Sequence, residues 1–400
     1  MKTLKTLALI LAGALMFVGC EGGSGEGNNA KPKLVLEFDD AYIYNNGEDY
    51  AVISASFNGE VLDYSEYIIF DQNDEMVEWP VVDGEMRFTS TTVGKYRFEA
   101  IYGSYTASTS IEVVQTPPAW PEEPVDNNQS KLNFTRRVLL TQFTGTACQN
   151  CPYMVNTLHE LNDAKKAGTG EYLYKDKIVI TAAHVGYYAS SDPARLMDAL
   201  NMDSAFGVIS YPDIIIDMVD GHPEYPFYAN VEPLVKNALN RTNAKAGIAV
   251  NTLYYEEENY VVVSAKIKAA ESGDFRIGAW LLEDNVYGSQ TISSSVPKRK
   301  DVDYNYHNNC IRRARVSRRS SLDYTGLDPK GGSWIEKGNY AVQEFAFPLK
   351  KHGEKGGAEQ WNHNNLRVVV FVTTKEGDKW CVNNVVKAPK HGSVDFEYTE

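Results

Sequence analysis

The sequence predicts a multidomain protein with three folded parts: an N-terminal β-sandwich, a central α/β domain and a C-terminal β-sandwich. Three observations lead to this prediction. Short β-like runs with turn signals occupy residues 33–115, strand and helix patterns alternate over residues 131–246, and β-like runs return over residues 247–400. A chain of 400 residues is long enough for two or three domains.

The N-terminus carries targeting signals. Lys2 and Lys5 precede a short apolar run, which is typical of a signal peptide over residues 1–19. Phe17-Val18-Gly19-Cys20 then resembles a bacterial lipobox, although Leu is more usual at the first position. We therefore expect Cys20 to be acylated and the glycine-rich residues 20–32 to form a flexible tether. The alternative is an ordinary signal peptide followed by a chance cysteine.

The first folded part is predicted to be an immunoglobulin-like β-sandwich over residues 33–115. Turn signals such as Asn46-Gly47 and Asp83-Gly84 separate its runs. The runs cover residues 34–38, 50–57, 67–70, 87–89, 96–102 and 110–114. A proline-rich segment over residues 116–130 follows, and its composition predicts a stiff, extended linker.

The central part contains the motif Cys148-Gln149-Asn150-Cys151-Pro152 between a strand and a helix. An apolar run over residues 138–143 predicts the buried strand. Apolar residues at helical spacing follow Pro152, a residue favoured in the first turn of a helix. A helix N-terminus favours a thiolate at the first cysteine, and this strand–CxxC–helix order is typical of thioredoxin-like redox centres.

The rest of the central part continues this alternation. We expect a strand over residues 177–183, a helix over residues 193–201 capped by Asp192, a strand over residues 214–216 and a helix around residues 231–239. This order predicts a thioredoxin-like domain over residues 131–246. Its fourth strand is not evident, because residues 222–226 have a turn-like composition.

The Tyr211-Pro212 peptide lies immediately before a predicted strand. From its position relative to the CxxC motif we expect a cis bond and a role in holding a bound peptide. In one interpretation, Cys148 is the exposed nucleophile that attacks a substrate disulfide, and Cys151 resolves the mixed disulfide. In the other interpretation, the two cysteines form a structural disulfide.

Two neighbouring residues argue against exchange. Gln142 stands where thioredoxins carry a buried carboxylate, and Ala147 stands where they usually carry Trp. An amide cannot accept the proton that a resolving thiol must lose. His159 and His184 are the nearby alternatives, and each is predicted to be a packed or surface residue rather than a proton shuttle.

The remaining cysteines leave two possibilities open. Outside the cytoplasm Cys310 and Cys381 have the number needed for a second disulfide, but they are equally compatible with buried free thiols. Between the later β-like runs lies a basic cluster, which we expect to pair internally with carboxylates. The alternative is that it binds a phosphate-rich partner. The cluster consists of Lys298, Arg299, Lys300, Arg312, Arg313, Arg315, Arg318 and Arg319.

Several functions are excluded by composition and missing motifs. The formal net charge of −14 argues against nucleic acid as a partner. Pro152 occupies the place where a haem-attachment motif requires His, and no second close cysteine pair exists for a zinc ribbon. Walker, G-x-S-x-G and HExxH motifs are absent, so a nuclease, kinase or hydrolase function has no support. Neither a metal nor another cofactor is predicted.

The last part is predicted to be a second β-sandwich over residues 247–400. Its runs cover residues 247–253, 260–269, 275–283, 341–348, 366–373 and 379–386.

Three motifs resemble those of the twenty-eight-kilodalton outer-membrane-protein family of Bacteroidota. They lie at residues 143–152, 306–312 and 361–363, and the resemblance extends over residues 132–386. It implies a lipid-anchored outer-membrane protein, on the periplasmic or cell-surface face, with a thioredoxin-like domain. The predicted function is thiol–disulfide exchange on cysteine-containing exported proteins. The alternative is a non-catalytic surface lipoprotein for adhesion, display or assembly.

The lipobox generates the first testable prediction. Cells that express the protein should incorporate radiolabelled palmitate into it, and a Cys20→Ala variant should incorporate none. Cys381→Ala is the matched control and should retain the label. Undiminished label in Cys20→Ala would mean that the cysteine is not the site of acylation.

Overall fold

The computed structural model describes residues 32–40, 42–197, 199–314, 324–329, 331–349 and 361–399. These residues form two compact units, one that extends to Val113 and one that begins at Val114. The predicted signal peptide, Cys20 and nearly all of the tether lie outside the described residues. Arg315, Arg318 and Arg319 of the basic cluster also lie outside them.

The first unit is a β-sandwich, as predicted. One sheet has the order β1–β3–β7–β6 with β4 on β3, and the other has the order β2–β9–β8–β5. Its strands are β1 (Leu34–Phe38), β2 (Tyr42–Tyr44), β3 (Ala51–Phe57), β4 (Glu60–Val61), β5 (Ile68–Asp71), β6 (Val81–Val82), β7 (Glu85–Phe88), β8 (Gly94–Tyr102) and β9 (Tyr105–Val114).

A single core joins the two sheets of this unit. Leu36 and Ile53 of one sheet are buried in the same cluster as Phe98 and Ile111 of the other. The longer strands were predicted because their apolar residues alternate. Strands β2, β4 and β6 have only two or three residues, too few to show any alternation.

The second unit begins with alternating strands and helices. Its elements up to residue 241 are β10 (Val138–Thr144), α1 (Cys151–Asp163), β11 (Ile178–His184), α2 (Met202–Ala205), β12 (Asp213–Ile216), β13 (Asp220–Gly221) and α3 (Tyr228–Arg241), with a short 3-10 turn at Tyr187–Ala189. The fourth strand is β13, which has two residues and pairs antiparallel with β12. This length explains why no sequence pattern revealed it.

The remainder of this unit is β-rich. Its strands are β14 (Ala246–Tyr255), β15 (Tyr260–Ala269), β16 (Gly273–Glu283), β17 (Val286–Tyr287), β18 (Tyr306–His307), β19 (Cys310–Arg313), β20 (Trp334–Ile335), β21 (Tyr340–Pro348), β22 (Leu366–Glu376), β23 (Lys379–Pro389) and β24 (Gly392–Val394), with a 3-10 turn at His363–Asn365.

One nine-stranded sheet runs through the whole second unit, in the order β13–β12–β10–β11–β19–β16–β22–β23 with β20 on β16. Strands β10 and β11 are parallel, whereas β12 is antiparallel to β10. Strands from the predicted parts 131–246 and 247–400 therefore share one sheet. The two parts also lie in one compact unit.

The sheet has a different layer on each face of its β10–β11–β12 region. On one face, Leu140, Ile180 and Ile214 pack with α1 and α3. On the other face, Leu139 and Val179 belong to a cluster with side chains from β16, β19, β22 and β23. Strands buried on both faces read as continuous apolar runs, which is the pattern seen over residues 138–143.

The predicted C-terminal sandwich is present, and its second sheet is the far end of the nine-stranded sheet. The first sheet has the order β21–β15–β14–β24. Val263 and Phe345 from this sheet share a core with Phe275 and Val370 from β16 and β22. The sandwich thus extends the central sheet and does not form a separate body.

The predicted helix over residues 193–201 is wrong. The described residues of this segment form turns, and the next helix, α2, begins only at Met202. Asp192 does accept a hydrogen bond from the backbone N–H of Ala194 at 2.8 Å, as a cap would. Its other carboxylate oxygen, however, binds Thr146 and His184, so tertiary contacts hold the segment in a turn.

The predicted proline-rich linker packs against the second unit. Pro117, Pro121 and Pro124 are buried. At its end, Asp126 accepts a hydrogen bond from the Lys268 ammonium at 2.8 Å, and both side chains are almost completely buried. The segment is therefore a packed strap along β15, which its composition did not reveal.

Asp126 is strongly held in its ionised form. Burial acts to raise its pKa, but hydrogen bonds from Lys268, the Asn128 backbone and the hydroxyls of Tyr340 and Tyr398 lower the pKa to about 2. A pKa depressed in the folded state contributes stability that is present above the ordinary value near 4 and is lost as the pH falls toward 2.

This pair generates a stability prediction. Asp126→Asn leaves a buried ammonium without its carboxylate, so we expect a loss of about 3–5 kcal/mol in the free energy of unfolding at pH 7. The loss should shrink as the pH falls below about 4. Urea unfolding at pH 7 and pH 3 measures both quantities.

The matched control is Glu123→Gln on the same segment. Glu123 pairs with Lys266 at 2.7 Å but is 54% exposed, so its replacement should cost less than about 1 kcal/mol. Equal losses for the two variants would contradict the importance of the buried pair.

Candidate functional site

The CxxC motif lies between the end of β10 and the first turn of α1. Strand β10 ends at Thr144 and α1 begins at Cys151, with Pro152 in its first turn. Cys148 and Cys151 form a disulfide. Cys148 is only 2% exposed and Cys151 is 1% exposed. The expectation of an exposed Cys148 is therefore wrong, because other parts of the chain cover it.

A segment over residues 288–297, here called the covering segment, lies over the motif. The Gln290 side-chain amide donates to the backbone carbonyls of Thr146, at 3.1 Å, and Cys148, at 2.9 Å. The backbone N–H of Thr291 donates to Thr146, and that of Ser293 donates to Gln149. These bonds engage the backbone carbonyl groups of Thr146, Cys148 and Gln149 around the disulfide.

Helix α1 holds the far end of the covering segment. The Tyr153 hydroxyl donates to the Ser295 carbonyl at 2.7 Å, and the Asn156 amide donates to the Pro297 carbonyl at 2.7 Å. No sequence pattern pointed to this segment. Most of its residues are small and polar, and they lie about 140 positions from the cysteines that they cover.

The 3-10 turn after β11 approaches the motif from another side. The Ala147 backbone N–H donates to the Tyr188 carbonyl at 3.1 Å. A Cβ atom at Gly145 would lie 2.5 Å from that same carbonyl oxygen. Gly145 is thus required by the close approach of two backbone segments.

The Tyr211–Pro212 peptide bond is cis, as predicted. The Tyr211 hydroxyl donates to the Asp203 carboxylate, and its ring contacts the ring of Tyr188 at a centroid distance of 5.8 Å. Burial, together with the hydrogen bond to Asp203, raises the pKa of Tyr211. A role of these residues in holding a peptide stays a prediction.

The histidines near the motif differ sharply. His184 is buried, with Nδ1 at 2.7 Å from an Asp192 carboxylate oxygen and Nε2 at 3.7 Å from the Cys310 sulfur. Burial acts to lower its pKa, but Asp192 and Cys310 raise it to about 10. At neutral pH His184 is therefore a cation. His159 is half-buried on α1, and burial lowers its pKa.

Cys310 and Cys381 are both buried and unbonded, so the possible second disulfide is absent. Cys310 lies on β19 and Cys381 lies on β23, with β16 and β22 between them. Three strand spacings of about 4.8 Å already separate them by roughly 14 Å across the sheet, far beyond the Cα separation that a disulfide spans, and the register offsets them further along the strands. The free-thiol alternative is the correct one.

Two described members of the basic cluster, Arg299 and Arg312, pair internally with carboxylates, as expected. Arg299 binds Asp163 and Asp301 on the surface of α1. Arg312 is buried and binds Glu283 at 2.7 Å. The positive charges of these two arginines are therefore balanced by carboxylates of the same chain.

Two absences in the described part of the chain bear on ligands and membranes. No group of three or more His, Cys, Asp or Glu side chains has the geometry to hold a metal ion there. Within the same residues, no helix combines the length and apolarity required to span a bilayer.

Comparison with known proteins supplies further findings. The solved structure of HBP35 from Porphyromonas gingivalis aligns with a TM-score of 0.45 and 14% identity, covering 64% of this chain and 76% of that chain. A likeness of this degree carries no functional argument. No curated protein matches the chain.

A family model supplies the decisive match. Residues 200–391 match the model described as outer membrane protein Omp28. The matched range contains the motifs at residues 306–312 and 361–363, and it begins after the CxxC motif. The predicted resemblance is thus confirmed over just under half of the chain: these residues are similar to a family described as outer-membrane proteins, which fits the predicted location.

Proposed function

We propose that the protein is a lipid-anchored, non-catalytic outer-membrane protein in which the Cys148–Cys151 disulfide is structural. The observation that carries the proposal is the burial of both cysteines beneath the covering segment. Exchange requires a partner's sulfur to reach one of the two sulfur atoms in line with the bond. A cysteine residue that is only 1–2% exposed offers no such approach to its sulfur unless the covering segment moves.

The chemistry around the disulfide supports the same conclusion. Gln142 occupies the position on β10 where a proton-accepting carboxylate would assist a resolving thiol. No histidine lies between the two cysteines to stabilise a thiolate. Hydrogen bonds also fix the loop between β10 and α1: the Thr146 N–H donates to Asp192, and the Ala147 N–H donates to the Tyr188 carbonyl.

The thioredoxin-like interpretation of residues 131–246 belongs to this proposal. The strand order β13–β12–β10–β11, with β10 and β11 parallel and β12 antiparallel to β10, supports it. The cis peptide before β12 is in the position expected for such a domain. In this proposal the domain is a scaffold, and its sheet continues through β19 into the C-terminal sandwich, which supplies a surface for display or assembly.

Thiol–disulfide exchange on exported proteins is the second candidate function. One observation favours it: the disulfide lies at the N-terminus of α1, where unpaired backbone N–H groups favour a thiolate once the bond is reduced. For this function the covering segment would have to open, and Cys148 would then attack the substrate.

The reduction potential distinguishes the two candidates. We expect the Cys148–Cys151 pair of the full chain, equilibrated in glutathione and dithiothreitol buffers, to have a potential below about −300 mV. Differential alkylation and peptide mass spectrometry report this pair separately from the other thiols. A value between about −120 and −270 mV would support exchange instead, and trapping of partners by Cys151→Ser would then identify substrates.

The covering segment generates a second prediction. Gln290→Ala removes the donor that spans the Thr146 and Cys148 carbonyls, so the disulfide should be reduced by a small phosphine at least about fivefold faster, the equivalent of one hydrogen bond of about 1 kcal/mol. Gln72→Ala, an exposed glutamine of the first unit, is the control and should leave the rate unchanged. An unchanged rate in Gln290→Ala would show that the segment does not protect the disulfide.

A further inference from the structure

Three side chains from separate parts of the chain meet in the second unit. Cys310 opens β19, His184 ends β11 and Asp192 lies in the turn that follows. The Cys310 sulfur lies 3.7 Å from His184 Nε2, and His184 Nδ1 lies 2.7 Å from Asp192. A thiol beside an imidazole that a carboxylate orients is the arrangement in which a cysteine becomes a nucleophile.

Titratable side chains from several elements surround the sulfur. His184 is cationic at neutral pH because Asp192 and Cys310 outweigh burial. His307 packs edge-on against His184 at a centroid distance of 5.0 Å. Burial and the neighbouring His184 cation lower the pKa of His307 to about 4, so His307 is neutral. Glu283 lies opposite Cys310 on β16, but Arg312 neutralises it at 2.7 Å.

The sheet register places a hydrogen-bond donor opposite the thiol. Gln142, Ala182 and Cys310 form one row across β10, β11 and β19. Two strand spacings separate the outer residues by about 10 Å, and the small Ala182 side chain leaves the middle of the row open. Gln142 is 5% exposed, and its Nε2 has no hydrogen-bond partner among the described residues.

A cavity of about 440 Å³ lies over this row, within the size range of small-molecule sites. Its lining includes Gln142, Ala182, His184, His307 and Asn309. Cys310 itself is 0% exposed. Cys310 does not line the cavity, but His184, which contacts its sulfur, and Asn309, which precedes it, both do. One hydrogen bond of His307, from Nε2 to the Gly288 carbonyl, is 3.0 Å long.

We propose that Cys310 is an activated thiol, assisted by His184 and positioned by Asp192, which reacts with small carbonyl-bearing electrophiles that enter this cavity. Rotation of the His307 ring admits them. The unpartnered Gln142 amide donates to the carbonyl oxygen of the bound electrophile. This site is separate from the Cys148–Cys151 disulfide, and the proposal holds whether that disulfide is structural or exchanging.

Iodoacetamide is the probe, because it is small and carries an amide carbonyl. The Cys310 thiolate attacks the carbon that bears iodine, a carbon–sulfur bond forms, and the carbon–iodine bond breaks to release iodide with the electron pair. The proton that left the thiol resides on His184. No oxidant or reductant takes part, so the Cys148–Cys151 disulfide stays intact during the reaction.

The experiment compares the two free thiols within the same molecule. Cys381 is a matched internal control, since it is also buried and burial raises its pKa to about 11. We label the full chain at pH 7 and follow each cysteine by peptide mass spectrometry. An ordinary thiol is only a few per cent ionised at this pH, so Cys310 should react at least about tenfold faster than Cys381. Equal rates, or labelling of Cys310 only after unfolding, would overturn the proposal.

Three variants test the parts of the site. His184→Gln should slow labelling of Cys310 at least about tenfold. His307→Ala should accelerate the labelling, because it removes the ring whose rotation admits the electrophile. Gln142→Leu should slow reaction with iodoacetamide but leave reaction with methyl iodide, which has no carbonyl, unchanged. An unchanged Cys381 rate reports that a variant remains folded. If labelling of Cys310 in His184→Gln matched that of the wild type, His184 would have no role in activating the thiol.

Discussion

The pairing of Ala182 with Cys310 is the contact on which the second unit depends. At this point the parallel pair β10–β11 gains β19, and through β19 the sheet continues into the antiparallel strands β16, β22 and β23. The Ala182 N–H donates to the Asn309 carbonyl at 2.8 Å. Because this short junction joins the two halves of the sheet, it also determines which side chains from each half become neighbours.

The junction accounts for the two features of greatest chemical interest. The chain that leads from β17 to β19 must cross the end of β10 and α1, and there it becomes the cover of the CxxC disulfide. The same crossing delivers Cys310 and His307 to the end of β11, beside His184. The covered disulfide and the buried pair of Cys310 and His184 thus both result from the path of the chain between β17 and β19.

Buried carboxylates hold the segments that carry no regular structure. Asp126 secures the proline-rich strap through Lys268, and Asp192 joins the loop before the disulfide to the turn after β11. Asp217, fully buried, accepts hydrogen bonds from the Leu139 N–H and from Arg136. Breaking such a pair leaves a charge in an apolar interior, so these positions tolerate substitution poorly even though the net contribution of each intact pair is modest.

Local patterns determined much of the fold. Alternating apolar residues marked the strands of both sandwiches, and helical spacing after Pro152 marked α1, because these signals arise from burial of one face of a local element. Two-residue strands such as β13 carry no such period. The failed helix at residues 193–201 shows the same limit: its capping and composition are helical, but Asp192 is engaged by Thr146 and His184 from other segments.

The sequence by itself determined the CxxC motif, the family resemblance and the two sandwiches, since each is written in residues close together along the chain. Only the tertiary structure decided that the disulfide is covered, that Cys310 and Cys381 stay apart, and that Cys310 meets His184. Those outcomes depend on strand order in a sheet, and strand order brings together residues more than 100 positions apart, such as Gln290 with Cys148 and Cys310 with His184. No local pattern encodes such distant pairings.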